Sequence, residues 1–108
     1  MAAMTRGLVC GFLSVAAAGA LPGGANAADA HQGEVLAKRW CATCHVVAAD
    51  QKNGGAQAPA FSAVAKMRGF DAGKVALFLL VPHPRMPDMN LSRSEAADLA
   101  AYIATQRK

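Results

Sequence analysis

Charged residues are scarce in this sequence: only 17% of its 108 residues are Asp, Glu, Lys or Arg, and aromatic residues make up 6%. The net charge of +4 is too small to indicate the basic surface with which proteins bind nucleic acid. Hydrophobic residues account for 54%, which excludes a disordered chain, and the length excludes several domains. A single small domain remains, and such a domain needs something besides its own side chains to complete its core.

The sequence also has little that could anchor it in a membrane. The apolar stretch Leu8–Leu21 has 14 residues, against the roughly 20 that a spanning helix needs. It follows a short segment that carries Arg6 and no acidic residue, and it precedes the small residues of Ala25-Asn26-Ala27. This order is typical of a secretory signal peptide. We therefore expect residues 1–27 to be removed on export, which leaves residues 28–108 as a domain with no stable membrane insertion.

Cysteine occurs only three times, and Cys10 lies within the predicted signal peptide. Cys41 and Cys44 remain, and a disulfide between them would close a loop too small to constrain the unfolded chain. A zinc site would need two more ligands at metal spacing, and a thioredoxin-like dithiol would need a βαβ context. The sequence offers neither.

The two cysteines belong instead to the pentapeptide Cys41-Ala42-Thr43-Cys44-His45. This C-x-x-C-H spacing is the signature of covalent haem c attachment. Two thiols at this distance reach the two vinyl groups of one porphyrin and become thioethers, and the next residue presents an imidazole to the iron. The pattern predicts one haem c, held through Cys41 and Cys44, with His45 as the proximal iron ligand.

The rest of the chain shows helix signals and no strand signal. Capping boxes are predicted at both ends of the domain, with Asp29 and Gln32 starting the first helix and Ser92 and Glu95 starting the last. Between them, Pro59 is expected at the first position of a short helix.

A further helix is predicted to begin after Asp71 and to stop at Pro82. Its residues Val75 and Leu77–Val81 are apolar on nearly all sides, which predicts deep burial, in part against a porphyrin face. The three prolines of Pro82–Pro87 exclude a regular helix there, so Met86 is expected in a stiff loop.

Together, the attachment motif, the loop with Met86-Pro87 and the closing segment Leu91–Ile103 resemble the class I, single-haem c-type cytochromes of the compact bacterial type. The resemblance covers residues 28–108. It implies an all-α, cytochrome c-like fold of four to five short helices around one covalently attached haem, and a periplasmic location.

The resemblance also implies particular contacts. Gly33 is expected where the first and last helices cross closely, faced by Leu99, Tyr102 and Ile103. The backbone carbonyl of Pro59 is expected to accept the N–H of the proximal imidazole, although helix initiation is an equally good role for this proline.

For the iron itself, the resemblance implies axial ligation by His45 and Met86. Met89 is the nearest alternative for the distal position, and Met67, His83 and an open coordination position are the remaining ones.

A site saturated by His and Met leaves no position for substrate, so the implied function is one-electron transfer between redox partner proteins rather than catalysis. A periplasmic dehydrogenase or a terminal oxidase is an expected partner class. Two alternatives stay open: a haem c subunit bound to a periplasmic dehydrogenase, and an open-site gas-binding or peroxidase-like haem protein.

Overall fold

The computed structural model describes Gly19 and residues 26–55, 57–81 and 83–108. Nearly all of the predicted signal peptide, including Cys10, lies outside these residues, as does Pro82. Over the described ranges the chain forms four α-helices and one π-helical segment, without any β-strand. The predicted all-α fold is thus confirmed. No helix within these ranges combines the length and the hydropathy needed to span a membrane.

Helix α1 (Ala30–Leu36) begins at Asp29, as predicted. The Asp29 carboxylate accepts the backbone N–H of His31 at 2.8 Å and of Gln32 at 3.3 Å. The reciprocal half of the predicted capping box is wrong, because the Asp29 N–H donates to the Asp98 carboxylate at 2.7 Å rather than to Gln32. Since Asp98 belongs to the last helix, this cap also ties the two ends of the domain together.

The helix continues beyond Leu36 as a π-helical segment (Ala37–Cys41) that leads into the attachment motif. Its wider turn is closed by the Ala42 N–H, which donates to the Ala37 carbonyl at 3.1 Å. Single π turns of this kind occur mostly inside α-helices and frequently at functional sites. The sequence predicts a helix running into the motif but gives no sign of this change of pitch.

Helix α2 (Phe61–Lys66) corrects the placement of Pro59. The cap residue is Ala60, so Pro59 precedes the helix and does not occupy its first turn. A turn follows α2, with Gly69 at a positive φ of 74°, a conformation that glycine adopts without steric cost.

Helix α3 (Ala72–Leu80) is capped by Asp71, whose carboxylate accepts the Lys74 N–H at 2.8 Å. The predicted deep burial is wrong as far as the polypeptide is concerned, since no residue of α3 is buried. Leu77 is 66% exposed and Phe78 is 56% exposed. The reason is that α3 packs on α4 along one side and leaves its other apolar side uncovered by protein.

Helix α4 (Arg93–Thr105) carries the predicted capping box in full. The Ser92 hydroxyl accepts the Glu95 N–H at 3.1 Å, and the Glu95 carboxylate accepts the Ser92 N–H at 2.8 Å. Hydrogen bonding by the Ser92 backbone N–H, and then by the Ser92 side chain, lowers the pKa of the Glu95 carboxyl. The helix packs most extensively against α1, then against α3 and α2. The core lies around it and consists of Ala37, Val47, Phe61, Ala65, Leu99, Tyr102 and Ile103.

The crossing of α1 and α4 is close at Gly33, as expected. A methyl group on Gly33 would lie 2.8 Å from the Tyr102 Cβ and would overlap the Asp98 carbonyl group. The expected partner Tyr102 is therefore present, whereas the nearest atoms belong to the Asp98 backbone. Backbone atoms cannot move aside as a flexible side chain can, so this position admits only glycine without separating the helices.

Gly33→Ala is expected to destabilise the holoprotein by about 3 kcal/mol because the added methyl forces the two helices apart. Urea unfolding followed by circular dichroism measures the change. Gly73→Ala is the matched control, since its new methyl would meet only the Asp71 carboxylate at 3.1 Å, and it should alter stability by less than about 1 kcal/mol. Equal stabilities for the two variants would contradict a tight crossing at Gly33.

Candidate functional site

The attachment motif forms one tight turn at the end of the π-helical segment. The Cys41 carbonyl accepts the N–H of Cys44 at 3.2 Å and the N–H of His45 at 2.9 Å. This turn brings the two thiol-bearing residues and the imidazole onto a single short piece of backbone. The three side chains predicted to hold haem are therefore adjacent in space.

The two thiols have different surroundings. Cys41 is half-buried, and burial raises the pKa of its thiol to about 11. Cys44 is exposed. A free Cys41 thiol is thus protonated at neutral pH, whereas a thioether has no proton to lose. Covalent attachment therefore removes an ionisable group from a partly desolvated position.

The imidazole of His45 is oriented by the carbonyl group of Pro59, whose oxygen lies 2.6 Å from Nδ1. A carbonyl oxygen only accepts, so Nδ1 carries the proton, and in the neutral ring the lone pair is then on Nε2. A neutral imidazole with an unprotonated Nε2 is the form that binds a metal ion. A carbonyl acceptor on the other nitrogen fixes the ring and raises its basicity.

An aromatic ring, that of Phe61, also contacts the imidazole of His45. Its ring centroid lies 5.3 Å from that of Phe61, with the planes tilted by 52°. Phe61 in turn packs edge-on against Tyr102 of α4 at 6.3 Å. The His45 ring is therefore connected to α4 by two successive ring contacts.

The two residues after the motif are fixed by hydrogen bonds from distant elements. The Val46 carbonyl accepts the Phe61 N–H at 2.9 Å, and the Val47 carbonyl accepts the Tyr102 hydroxyl at 2.7 Å. Val47 is 1% exposed, so its carbonyl has little access to water. Desolvation is also the main cause that raises the pKa of Tyr102.

The loop after α3 carries the methionine predicted as the distal ligand. Met86 donates its N–H to the His83 carbonyl at 3.3 Å, and the two residues form an isolated β-bridge. Met86 and Met89 are both half-buried, so burial does not distinguish them, whereas Met67 is 58% exposed. The predicted irregular loop is confirmed for residues 83–87.

His83 is held by its own neighbours. Its ring stacks on Phe78 with centroids 4.3 Å apart, and its Nδ1 donates to the Val81 carbonyl at 3.0 Å. These contacts anchor the start of the methionine loop to the end of α3.

The site residues fit a porphyrin. Leu77 and Phe78 on the exposed side of α3, and Val81 directly after it, are large apolar side chains that the protein leaves uncovered. Such a surface suits a flat hydrophobic ring. In the described part of the chain, no group of three or more His, Cys, Asp and Glu residues could hold a bare metal ion. Two thiols followed directly by an imidazole are instead the residues that attach haem c.

Sequence reasoning missed one contributor to this site, Gln51. Its side chain makes four hydrogen bonds to the backbone around the motif. In the sequence, Gln51 is only one residue of a polar loop that contains two glycines. No residue spacing predicts a structural role for a glutamine in such a loop.

The chain is similar to a curated protein named cytochrome c-552 from Bradyrhizobium diazoefficiens. The two are 50% identical over 99 residues, and the alignment covers 92% of each chain. No protein-family model matches the chain, and no solved structure matches it significantly. Identity of this extent shows that the chain belongs to the monohaem c-type cytochromes, a family defined by covalently bound haem c. The predicted family and cofactor are thereby confirmed.

Tyr102→Phe is expected to cost about 1 to 2 kcal/mol of stability, because it leaves the buried Val47 carbonyl without a donor. Chemical unfolding of the holoprotein measures this. Ser62→Ala removes an exposed hydroxyl from α2 and should change stability by less than about 0.5 kcal/mol. An unchanged unfolding midpoint for Tyr102→Phe would show that the hydroxyl contributes nothing here.

Proposed function

We propose that the chain is an exported one-electron carrier in which haem c is attached through Cys41 and Cys44 and its iron is bound by His45 and Met86. The observation that carries the proposal is the hydrogen bond from His45 Nδ1 to the Pro59 carbonyl. In the neutral imidazole this bond leaves the lone pair on Nε2, on the residue that directly follows the second thiol. In this proposal the role of Pro59 is to hold the proximal imidazole.

Met86 is the proposed distal ligand because its loop is constrained on both sides. Pro84 and Pro87 restrict the backbone, and the β-bridge to His83 fixes the turn between them. A flexible side chain used only for packing would gain little from such a rigid setting. Met89, three residues further on, is the alternative ligand.

The haem supplies reversible one-electron chemistry at its iron. The protein residues set the conditions for it: the two cysteines prevent loss of the group, and Pro59 keeps His45 in one tautomer. The methionine sulfur favours ferrous iron and so raises the reduction potential. The exposed apolar side of α3 would help to exclude water from the bound porphyrin. With His45 and Met86 both bound to the iron, no position would remain for a substrate, which supports a carrier and not an enzyme.

The proposed location is the periplasm, and the proposed partners are redox proteins such as a periplasmic dehydrogenase or a terminal oxidase. Residues 28–108 contain ten basic and seven acidic residues. Two haem propionates bring the net charge close to neutral, so long-range steering toward a partner is expected to be weak. Short-lived contacts through a small surface are typical of such partners.

Met86→Ala is expected to abolish the methionine-to-iron charge-transfer band of the oxidised protein and to lower its reduction potential. The variant should also bind carbon monoxide in the ferrous form, whereas the native protein should not. Visible spectra of the oxidised and reduced protein, with and without carbon monoxide, test all three points together.

Met89→Ala and His83→Ala are the matched controls for this experiment, since both change the same loop. Both should retain the band. A band that survives in Met86→Ala but disappears in Met89→Ala would assign the distal position to Met89. A native spectrum that is unchanged in Met86→Ala and altered in His83→Ala would assign it to His83. Carbon monoxide binding by the native ferrous protein would favour the open-site alternative, and co-purification with a larger catalytic subunit would favour the dehydrogenase-bound alternative.

Processing of the precursor is expected to give a mature protein that begins at Ala28. Expression in a bacterium with haem-attachment machinery, followed by mass determination of the periplasmic protein, measures this. A variant with Ala25→Gln and Ala27→Gln lacks the small residues that signal peptidase recognises and should keep the segment. A native periplasmic protein that begins at Met1 would contradict cleavage.

A further inference from the structure

The side chain of Gln51 is bonded on all sides to the backbone around the attachment motif. Its Oε1 accepts the Val47 N–H at 2.8 Å. Its Nε2 donates to three carbonyl oxygens: those of Ala42 at 3.1 Å, His45 at 2.9 Å and Asn53 at 2.7 Å. A single half-buried amide thus joins two residues of the motif, Ala42 and His45, to Val47 and Asn53 after it.

The orientation of this amide is fixed by chemistry. Three of its neighbours are carbonyl oxygens and one is an N–H, so the nitrogen must face the carbonyls and the oxygen must face Val47. The two N–H groups of Nε2 serve three acceptors, which means that one of them is shared. No other common side chain of this length provides both a double donor and an acceptor.

The loop approaches Gln51 closely because it contains two glycines. A methyl group on Gly54 would overlap Gln51 Nε2, and one on Gly55 would lie 2.6 Å from the Cys44 carbonyl oxygen. The Gly54-Gly55 pair therefore lets the chain wrap tightly around both the amide and the motif. The close contacts with Gln51 and Cys44 explain why two glycines occur at these positions, neither of which is a haem ligand.

We propose that Gln51 is a positioning residue that holds the backbone of His45 so that its ring can donate to Pro59. The inference rests on the proposed function, in which His45 is the proximal ligand. Gln51 fixes the carbonyl of His45, while Pro59 fixes its ring at Nδ1. Loss of the first restraint lets the residue shift and weakens the second. A weaker Nδ1–H hydrogen bond makes the imidazole a poorer electron donor to iron.

Substitution of Gln51 should leave the protein folded, because water can replace part of what the amide provides. A solvent-open cavity of about 270 Å³ lies beside Gln51, lined also by Lys38, Val47 and Asp50. Water entering from this cavity can reach the released polar groups but cannot hold them at fixed positions.

The test compares Gln51→Met with Gln51→Glu in the holoprotein. Methionine keeps the length of the side chain and loses every hydrogen bond. Glutamate at neutral pH keeps the acceptor for Val47 but has no donor for the carbonyls. Gln57→Met and Gln57→Glu are the controls, since Gln57 is an exposed residue of the same loop.

The main measurement is the NMR signal of the His45 Nδ1 proton in the diamagnetic ferrous form. Both Gln51 variants should move this signal upfield and speed its exchange with solvent, while both Gln57 controls leave it unchanged. The Val47 amide proton should exchange about tenfold faster in Gln51→Met, the factor expected for loss of one hydrogen bond, and remain protected in Gln51→Glu. The reduction potential of Gln51→Met should rise.

An Nδ1 signal unchanged in both Gln51 variants would overturn the proposal, even if the variants were less stable, since a residue that only stabilises the fold would not move it. If neither variant accumulates, the native protein decides. The side-chain amide protons of Gln51 should then exchange much more slowly than those of Gln57, and equal rates would overturn the proposal. A native spectrum without a low-spin haem would instead contradict the proposed function itself.

Discussion

The close approach of α1 and α4 at Gly33 is the constraint on which the rest of the domain depends. It brings the backbone of Asp98 against α1 and lets the Asp98 carboxylate accept the Asp29 N–H at the start of that helix. The contact joins α1 and α4 directly, without any contribution from the segments between them. Because the attachment motif continues directly from α1, its position relative to the core follows from this crossing.

From the crossing, a series of hydrogen bonds and ring contacts leads to His45 and the residues that follow it. Tyr102 of α4 takes part in both: its Cβ lies at the crossing and its hydroxyl holds the Val47 carbonyl two residues after His45. Phe61 lies between Tyr102 and His45 and also binds the Val46 carbonyl through its N–H. A residue of the last helix thus restrains the imidazole of His45 without touching it. The site is short in sequence but is held by residues far along the chain.

The parts of this structure that could be predicted from sequence are those in which a few adjacent residues carry the physical cause. A C-x-x-C-H pentapeptide, a Ser92–Glu95 capping box and an Asp71 cap are all local patterns, and the two caps lie where the sequence predicts them. The contacts that differed from expectation are long-range. Asp98 replaces Gln32 at the first cap because α4 happens to bring a carboxylate there, and Gln51 lies in a loop with no regular spacing.

The apolar α3 shows a different limit of prediction. Its composition indicates burial, but the polypeptide covers only one of its sides and fully buries none of its residues. An apolar composition predicts that a surface is shielded from water, but it does not identify the group that shields it. In a haem protein, part of that cover is not encoded as residues at all, so burial predicted from sequence exceeds burial by protein.

The π-helical segment Ala37–Cys41 separates two requirements that a plain α-helix would couple. The face that α1 shows to α4 is set by Gly33, whereas the direction of the motif is set by where Cys41 falls around the axis. In an α-helix each residue turns the chain by about 100°, so the one extra residue of a π turn changes the azimuth of everything that follows. An unbroken α-helix through the same residues would therefore point Cys41 and the motif after it in a different direction, even with the crossing at Gly33 unchanged.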